Sequence, residues 1–136
     1  MKKLYPLLSV LFLISWGCSN SGKDNLEYHE DNKGILYIGY SGDPKSRQKY
    51  NGTFRNFYPN TEREFSIDYK DGLKHGKLVG WYKNGNIKIE EYYENGKRNG
   101  LSKFWYENGN QKDVVHYKDE EIFKIIGRWN EDGSPK

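Results

Sequence analysis

Trp81, Trp105 and Trp129 stand 24 residues apart, and Gly85, Gly109 and Gly133 keep the same interval. So do Lys88, Lys112 and Lys136, while Gly72 pairs with Gly96, Gly76 with Gly100, Tyr82 with Tyr106 and Tyr93 with Tyr117. A fixed period of this length marks one supersecondary unit copied in series, each copy burying its apolar side against its neighbours. One step back the copy is fainter. Gly52, Phe57-Tyr58 and Tyr69 keep their places, but Pro59-Asn60-Thr61-Glu62 replaces the turn glycine. At the other end Glu120 and Lys124 stand at the two glycine positions.

Each unit reads as a β-hairpin. Lys77-Leu78-Val79-Gly80-Trp81-Tyr82 is rich in strand formers. Asn84-Gly85 is the favoured pair for a two-residue type I′ turn, and Asn86–Tyr93 runs back with alternating character. The same turn is expected at Asn108-Gly109 and Asp132-Gly133, and a second tight turn at Asn95-Gly96. Glycine recurs every few residues and alanine is absent, so a helix is hard to place after residue 25. The expected fold is all-β: an elongated antiparallel β-meander of stacked 24-residue hairpins. The repeats occupy 48–136, divided into a degenerate unit 48–71, two full units 72–95 and 96–119, and a partial unit 120–136. Residues 26–47, with a strand candidate at Gly34–Tyr40, are expected to cap the first repeat.

The pattern of glycine, glycine, Trp-Tyr, Asn-Gly and a closing tyrosine resembles the MORN repeat, in its bacterial MORN_2 variant. Gly72, Gly76, Trp81, Tyr82, Asn84, Gly85 and Tyr93 carry the resemblance. Gly96, Gly100, Trp105, Tyr106, Asn108, Gly109 and Tyr117 carry it again. The resemblance implies the stacked-hairpin fold and points to a scaffold or interaction role. Some related proteins are labelled antitoxin components.

The first residues have a different character. Lys2 and Lys3 precede an apolar run, Leu4–Trp16, and a polar stretch begins at Ser19. A basic head and a short apolar run are the marks of a secretory signal, here residues 1–17. A bilayer-spanning helix needs about 20 apolar residues. Leu13-Ile14-Ser15-Trp16-Gly17-Cys18 resembles the lipobox of bacterial lipoproteins, in the looser form of Bacteroidetes. The resemblance implies acylation of Cys18, the only cysteine, and attachment to the cell envelope, with the outer membrane expected. Several chains on one residue anchor firmly where one does not. Residues 18–25 then read as a flexible tether.

The net charge of +3 falls to +1 once Lys2 and Lys3 are set aside. No lysine or arginine block remains to grip phosphates, so nucleic acid is not an expected partner. Residues 18–136 hold 16 Leu, Ile and Val against 19 Phe, Trp and Tyr, which predicts a thin core held by ring pairs. His29, His75 and His116 share no repeat position and no metal-ligand spacing, so no metal is expected, and His75 is expected in an exposed turn. Glu90-Glu91 and Glu120-Glu121 would point to opposite faces of a strand and read as solvated pairs. Neither a catalytic residue nor a cofactor motif stands out, and an enzyme is not expected.

What remains is binding. Phe57, Trp81 and Trp105 would form one aromatic row and Tyr58, Tyr82 and Tyr106 another on the opposite face. The tyrosines, with hydroxyls pointing to water, are the candidate binding surface, unless they only shield the strand ladder. The expected role is a lipid-anchored module that binds a protein or braces the envelope. The alternatives are an antitoxin-like or immunity-like protein neutralising one toxin, and a weak carbohydrate-binding module.

Overall fold

The computed structural model describes residues 26–136. The expected signal segment 1–17, the tether 18–25 and Cys18 lie outside the described residues.

The described chain is all-β. Its strands are β1 (Leu26–Glu30), β2 (Leu36–Tyr40), β3 (Gln48–Lys49), β4 (Gly52–Phe57), β5 (Arg63–Lys70), β6 (Leu73–Trp81), β7 (Ile87–Glu94), β8 (Lys97–Arg98), β9 (Gly100–Trp105), β10 (Gln111–Lys118) and β11 (Glu121–Arg128). One 3-10 turn, Pro44–Ser46, interrupts them, started by Pro44 and the Asp43 carboxylate on the Lys45 N–H. The strands form two antiparallel sheets. β1, β2 and β3 make a small one. The large one runs β11-β10-β9-β7-β6-β5-β4, with β8 beside β7.

Two different turns alternate along the meander. At one end lie Asp71-Gly72, Asn95-Gly96 and Asp119-Glu120, each pair with positive φ at both residues. These are type I′ turns, and the strands they join pair as Lys70 with Leu73, Glu94 with Lys97 and Lys118 with Glu121.

The turns at the other end differ from the expectation. Gly85 has φ +85°, but Asn84 is not in the left-handed region. The Tyr82 N–H donates to the Asn86 carbonyl at 2.8 Å, and the Gly85 N–H to the Tyr82 carbonyl at 3.0 Å. The loop therefore holds three residues: a type I turn closed by a left-handed glycine, not a type I′ turn. Asn84 Oδ1 accepts the Asn86 N–H at 3.0 Å and fixes the bend. Asn108-Gly109 and Asp132-Gly133 repeat it. The first turn has the same bonds, Tyr58 N–H to Glu62 and Thr61 N–H to Tyr58, with Thr61 at φ +69° in the glycine position.

Cross-strand register sets the core. Phe54, Ile67, Leu78 and Glu91 lie opposite one another in successive strands, as do Ser102, Val115 and Ile125. Ile67, Glu91, Ser102, Val115 and Tyr117 on this face are buried. The core is thin, but not glued as expected. Ring pairs gather at the start, where Tyr28 meets Tyr50 and Phe54 edge-on, Tyr50 meets Tyr69 and Phe54 meets Phe65. His116–Phe123 is the other pair among the described residues.

The small sheet sits against the first repeat. Leu36 N–H donates to the Gly72 carbonyl, Gly72 N–H to Tyr50 and Tyr50 N–H to Leu36, at 2.8, 2.8 and 2.9 Å. Two expectations are corrected by position. His75 is not in an exposed turn. It lies in β6 at the register shift between the Ile67–Leu78 and Tyr69–Lys74 pairs, half-buried, and its Nδ1 is buried without a partner. Glu91 is buried and not solvated, because its strand face is the core face.

Candidate interaction surface

Tyr58, Tyr82 and Tyr106 each sit at the mouth of a three-residue turn, half-buried. Their hydroxyls do not point to water. Tyr58 Oη donates to the Trp81 carbonyl at 2.8 Å, Tyr82 Oη to Trp105 at 2.8 Å and Tyr106 Oη to Trp129 at 3.0 Å. Each tyrosine thus staples its unit to the next. Burial raises the pKa of Tyr58 and Tyr82, with Glu64 and Glu107 adding to the effect at Tyr58 and Glu107 and Glu131 at Tyr82. Ammonium groups lie near the rings: Lys83 over Tyr58 at 5.9 Å, Lys88 over Tyr82 at 5.5 Å and Lys112 over Tyr106 at 5.5 Å. A row engaged at its hydroxyls and flanked by lysines is part of the stack's own bonding.

Asparagine amides do the same for the turns. Asn84 Nδ2 and Asn86 Nδ2 both donate to the Glu107 carbonyl at 2.9 Å, and Asn108 and Asn110 repeat this on Glu131. The opposite row of turns is tied backwards. Gly72 N–H donates to Tyr50, Gly96 N–H to Lys74 and Glu120 N–H to Arg98, each 22 residues earlier. Asp132 closes the asparagine row. Its carboxylate accepts from Ser134 N–H and Oγ at 2.8 and 2.6 Å, and those bonds hold its pKa below the usual value.

The asparagine bridge is broken once. In the first turn Asn60 and Glu62 stand where Asn84 and Asn86 stand in the second. Asn60 Oδ1 holds its own turn through the Glu62 N–H at 3.4 Å, and a carboxylate at 62 has no proton to donate. A shallow depression of about 410 Å³ lies there, lined by Phe57, Thr61, Glu62, Arg63, Trp81 and Gly85. Phe57 is exposed, and the Arg63 guanidinium stands 5.8 Å from the Trp81 ring centre. The depression joins two aromatic rings to one cation, one anion and a hydroxyl. Phe57 and Trp81 belong to the row named from sequence. Thr61, Glu62 and Arg63 do not, although the Asn84/Asn86 pattern failing at Asn60/Glu62 signals them.

A charged cluster lies on the core face. The Arg98 guanidinium binds Glu120 at 2.7 and 2.8 Å, reaches Glu91 at 3.7 Å and stands 4.2 Å from the Tyr117 ring centre. Glu91 also accepts from Tyr93 Oη at 2.9 Å. Burial, with the Glu91 charge, pushes the Tyr93 phenol well up. Burial works to raise the Glu120 pKa, but the Arg98 bonds and charge outweigh it and hold it below normal. Each group is engaged by a neighbour, so the cluster reads as structural. Among the described residues, no three His, Cys, Asp or Glu come together to hold a metal ion.

No protein-family model matches the chain, and no curated protein matches it. Among solved structures it is similar to part of a mutant of S. aureus TarM in complex with fondaparinux, α-GlcNAc-glycerol and UDP. The likeness has 17% identity and a TM-score of 0.38, and covers 75% of this chain and 22% of that one. At that score it carries no argument about this chain.

Proposed function

We propose that the chain is a non-catalytic interaction module of the MORN-like kind, held in the bacterial cell envelope by lipid on Cys18, with a protein partner docking at the Phe57–Trp81 depression. The observation that carries the reading is the single break in the asparagine bridges. Elsewhere the turn row closes on itself. Here an exposed Phe57 and a half-buried Trp81 line a depression with one cation and one anion, Arg63 and Glu62. Exposed aromatics beside arginine are the side chains from which binding hot spots are built.

The test is a photo-crosslinking residue placed at Phe57 in the full chain in intact cells, with a second one at Lys118 as control. One discrete adduct at Phe57, absent at Lys118 and lost with Arg63→Ala, is expected. The same diffuse products at both positions would overturn the reading. If the adduct is one small toxin-like protein in equal amount, the module is a dedicated inhibitor. Fatty-acid analogue labelling, with and without Cys18→Ser, tests the anchor: label that persists in the variant refutes it.

The aromatic floor and polar rim also suit a sugar ring, the second reading. Quenching of tryptophan fluorescence by soluble oligosaccharides, lost with Trp81→Ala, would favour it over a protein partner.

A further inference from the structure

The chain carries five Asn-Gly pairs, at Asn51, Asn84, Asn95, Asn99 and Asn108. An asparagine before glycine is open to deamidation, because glycine has no Cβ to shield its backbone nitrogen. That nitrogen attacks the asparagine Cγ and closes a succinimide ring. The Cγ–Nδ2 bond breaks, and ammonia leaves with the proton of the glycine N–H. Water then opens the ring at either carbonyl, giving aspartate or isoaspartate, with nothing oxidised or reduced. The side-chain amide must be free to swing onto the nitrogen.

The fold restrains that swing at four of the five pairs. Asn84 Oδ1 accepts the Asn86 N–H at 3.0 Å while its Nδ2 donates to the Glu107 carbonyl at 2.9 Å. Asn108 is held in the same way by the Asn110 N–H and the Glu131 carbonyl, each at 2.9 Å. Asn51 Oδ1 accepts the Asp71 N–H at 2.8 Å, and its Nδ2 donates to the Lys49 carbonyl at 3.3 Å. Asn99 is half-buried, with Nδ2 on the Glu94 carboxylate at 2.6 Å. Asn95 is exposed. Alone of the five, its side chain makes no hydrogen bond among the described residues.

We propose that Asn95 is a modification site, where the folded chain deamidates spontaneously ahead of its other Asn-Gly pairs. The attacking Gly96 N–H is engaged on the Lys74 carbonyl at 2.8 Å, so the reaction proceeds when that one contact opens. The Gly85 and Gly109 N–H groups are engaged as well, on Tyr82 and Tyr106 at 3.0 Å, and there the amide has two further bonds to release. The two products differ in what they do to the stack. Aspartate fits, because Asp71-Gly72 already makes this turn one unit earlier, with Asp71 and Asn95 both at φ +51°. Isoaspartate routes the main chain through the side chain and lengthens a two-residue turn by one carbon. The Glu94–Lys97 pairing and the Gly96–Lys74 bond between repeats are then lost. Arg98 follows on the same short strand, so the lesion reaches its contacts with Glu91 and Glu120.

Incubating the detergent-solubilised full chain in mildly alkaline buffer, then mapping its peptides by mass, tests this. In the native chain Asn95 is expected to deamidate about tenfold or more faster than Asn84 and Asn108, and ahead of Asn51 and Asn99. In concentrated urea, where the restraining bonds are gone, the five rates should converge. Asn95→Asp is expected to keep the parent's urea midpoint, while the isoaspartate form, separated by chromatography, should unfold at lower urea. A native Asn95 no faster than any one of the other four would overturn the proposal. So would a rate order that persists unchanged in urea, since the fold would then not be its cause. A lowered midpoint for Asn95→Asp, or an unchanged one for the isoaspartate form, would overturn the account of the products.

Discussion

The Tyr82 hydroxyl donates to the Trp105 carbonyl oxygen at 2.8 Å, across 23 residues of sequence and one repeat of structure. The bond recurs from Tyr58 to Trp81 and from Tyr106 to Trp129. The conserved spacing of Trp-Tyr pairs within the chain is thus a spacing of staples. The tyrosine of one unit needs the tryptophan backbone of the next, whatever the indole ring itself does.

Removing one staple gives the first prediction. Tyr82→Phe keeps the ring and its Lys88 neighbour but leaves the Trp105 carbonyl without that donor. A loss of about 1 kcal/mol is expected from the lost hydrogen bond. Urea unfolding of the full chain measures it. Tyr106→Phe should cost a similar amount, and the two losses should add to within about 0.5 kcal/mol, as separate interfaces do. No change in the midpoint for either variant would remove the hydroxyls from the account of stability.

The turn row gives a pair of opposite predictions. Thr61 holds φ +69° where its counterparts are glycines, and a β-branched side chain is strained there. Thr61→Gly is expected to stabilise by about 1 kcal/mol. Gly85→Thr is expected to destabilise by at least as much. Nothing lies within 4 Å of a Cβ built at Gly85, so its cost would be conformational and not a clash. Thermal unfolding of both variants checks the sign, and equal signs would refute the shared turn geometry.

Much of this was legible from residues alone, for a physical reason. Repetition converts one weak local signal into several that agree, so Trp81, Gly85 and Tyr93 and their copies disclose the all-β meander before any coordinate. Turn type was not legible. Asn-Gly satisfies both a two-residue and a three-residue loop, and only the pairing of Tyr82 with Asn86 decides between them. Nor was the fate of the tyrosine hydroxyls. Alternation along a strand assigns Tyr82 a face, but its bond runs along the stack to the next unit, a direction that no pattern within one hairpin encodes. The burial of Glu91 is hidden from the sequence on the same ground. Its neighbour Glu90 meets Lys77 at 2.8 Å on the outer face, while Glu91 turns inward to Tyr93 and Arg98.

That inward carboxylate supports a third prediction. Arg98 ties Glu91, Glu120 and the Tyr117 ring together. Arg98→Ala strands Glu91 in the core with the Tyr93 hydroxyl, and releases Glu120, which holds φ +77° in its turn. Breaking a buried ion pair from one side costs about 3–5 kcal/mol. Glu120 is exposed and the Glu91 contact is long, so about 2–3 kcal/mol is expected here. The acid limb should change as well. With its pKa held below the usual value, Glu120 stabilises the fold above its unfolded pKa of about 4.3, and that contribution is lost as the pH falls through the folded value. Arg98→Ala should therefore flatten the acid side of a stability–pH curve, and an unaltered acid limb would count against the pair.

The alkaline side belongs to buried phenols. Burial, with the Glu30 charge, pushes Tyr69 up to about 12, and burial with the Glu91 charge pushes Tyr93 up as well. A raised phenol pKa means that the folded state prefers the neutral, protonated ring. The stabilising contribution is then complete below the unfolded value of about 10 and is lost as the pH rises through the folded one. Between pH 7 and 9 these two groups should leave the urea midpoint unchanged, and above about pH 10 it should fall. Tyr69→Phe removes one of the titrating groups. The variant should lose less stability than the parent between about pH 10 and 12, by about 1 kcal/mol once partial exposure is allowed for. Phenolate absorbance followed through the same titration should show Tyr69 and Tyr93 ionising late, together with unfolding. Phenolate that appears in full near pH 10 with the fold intact would show that neither ring is shielded by the sheet.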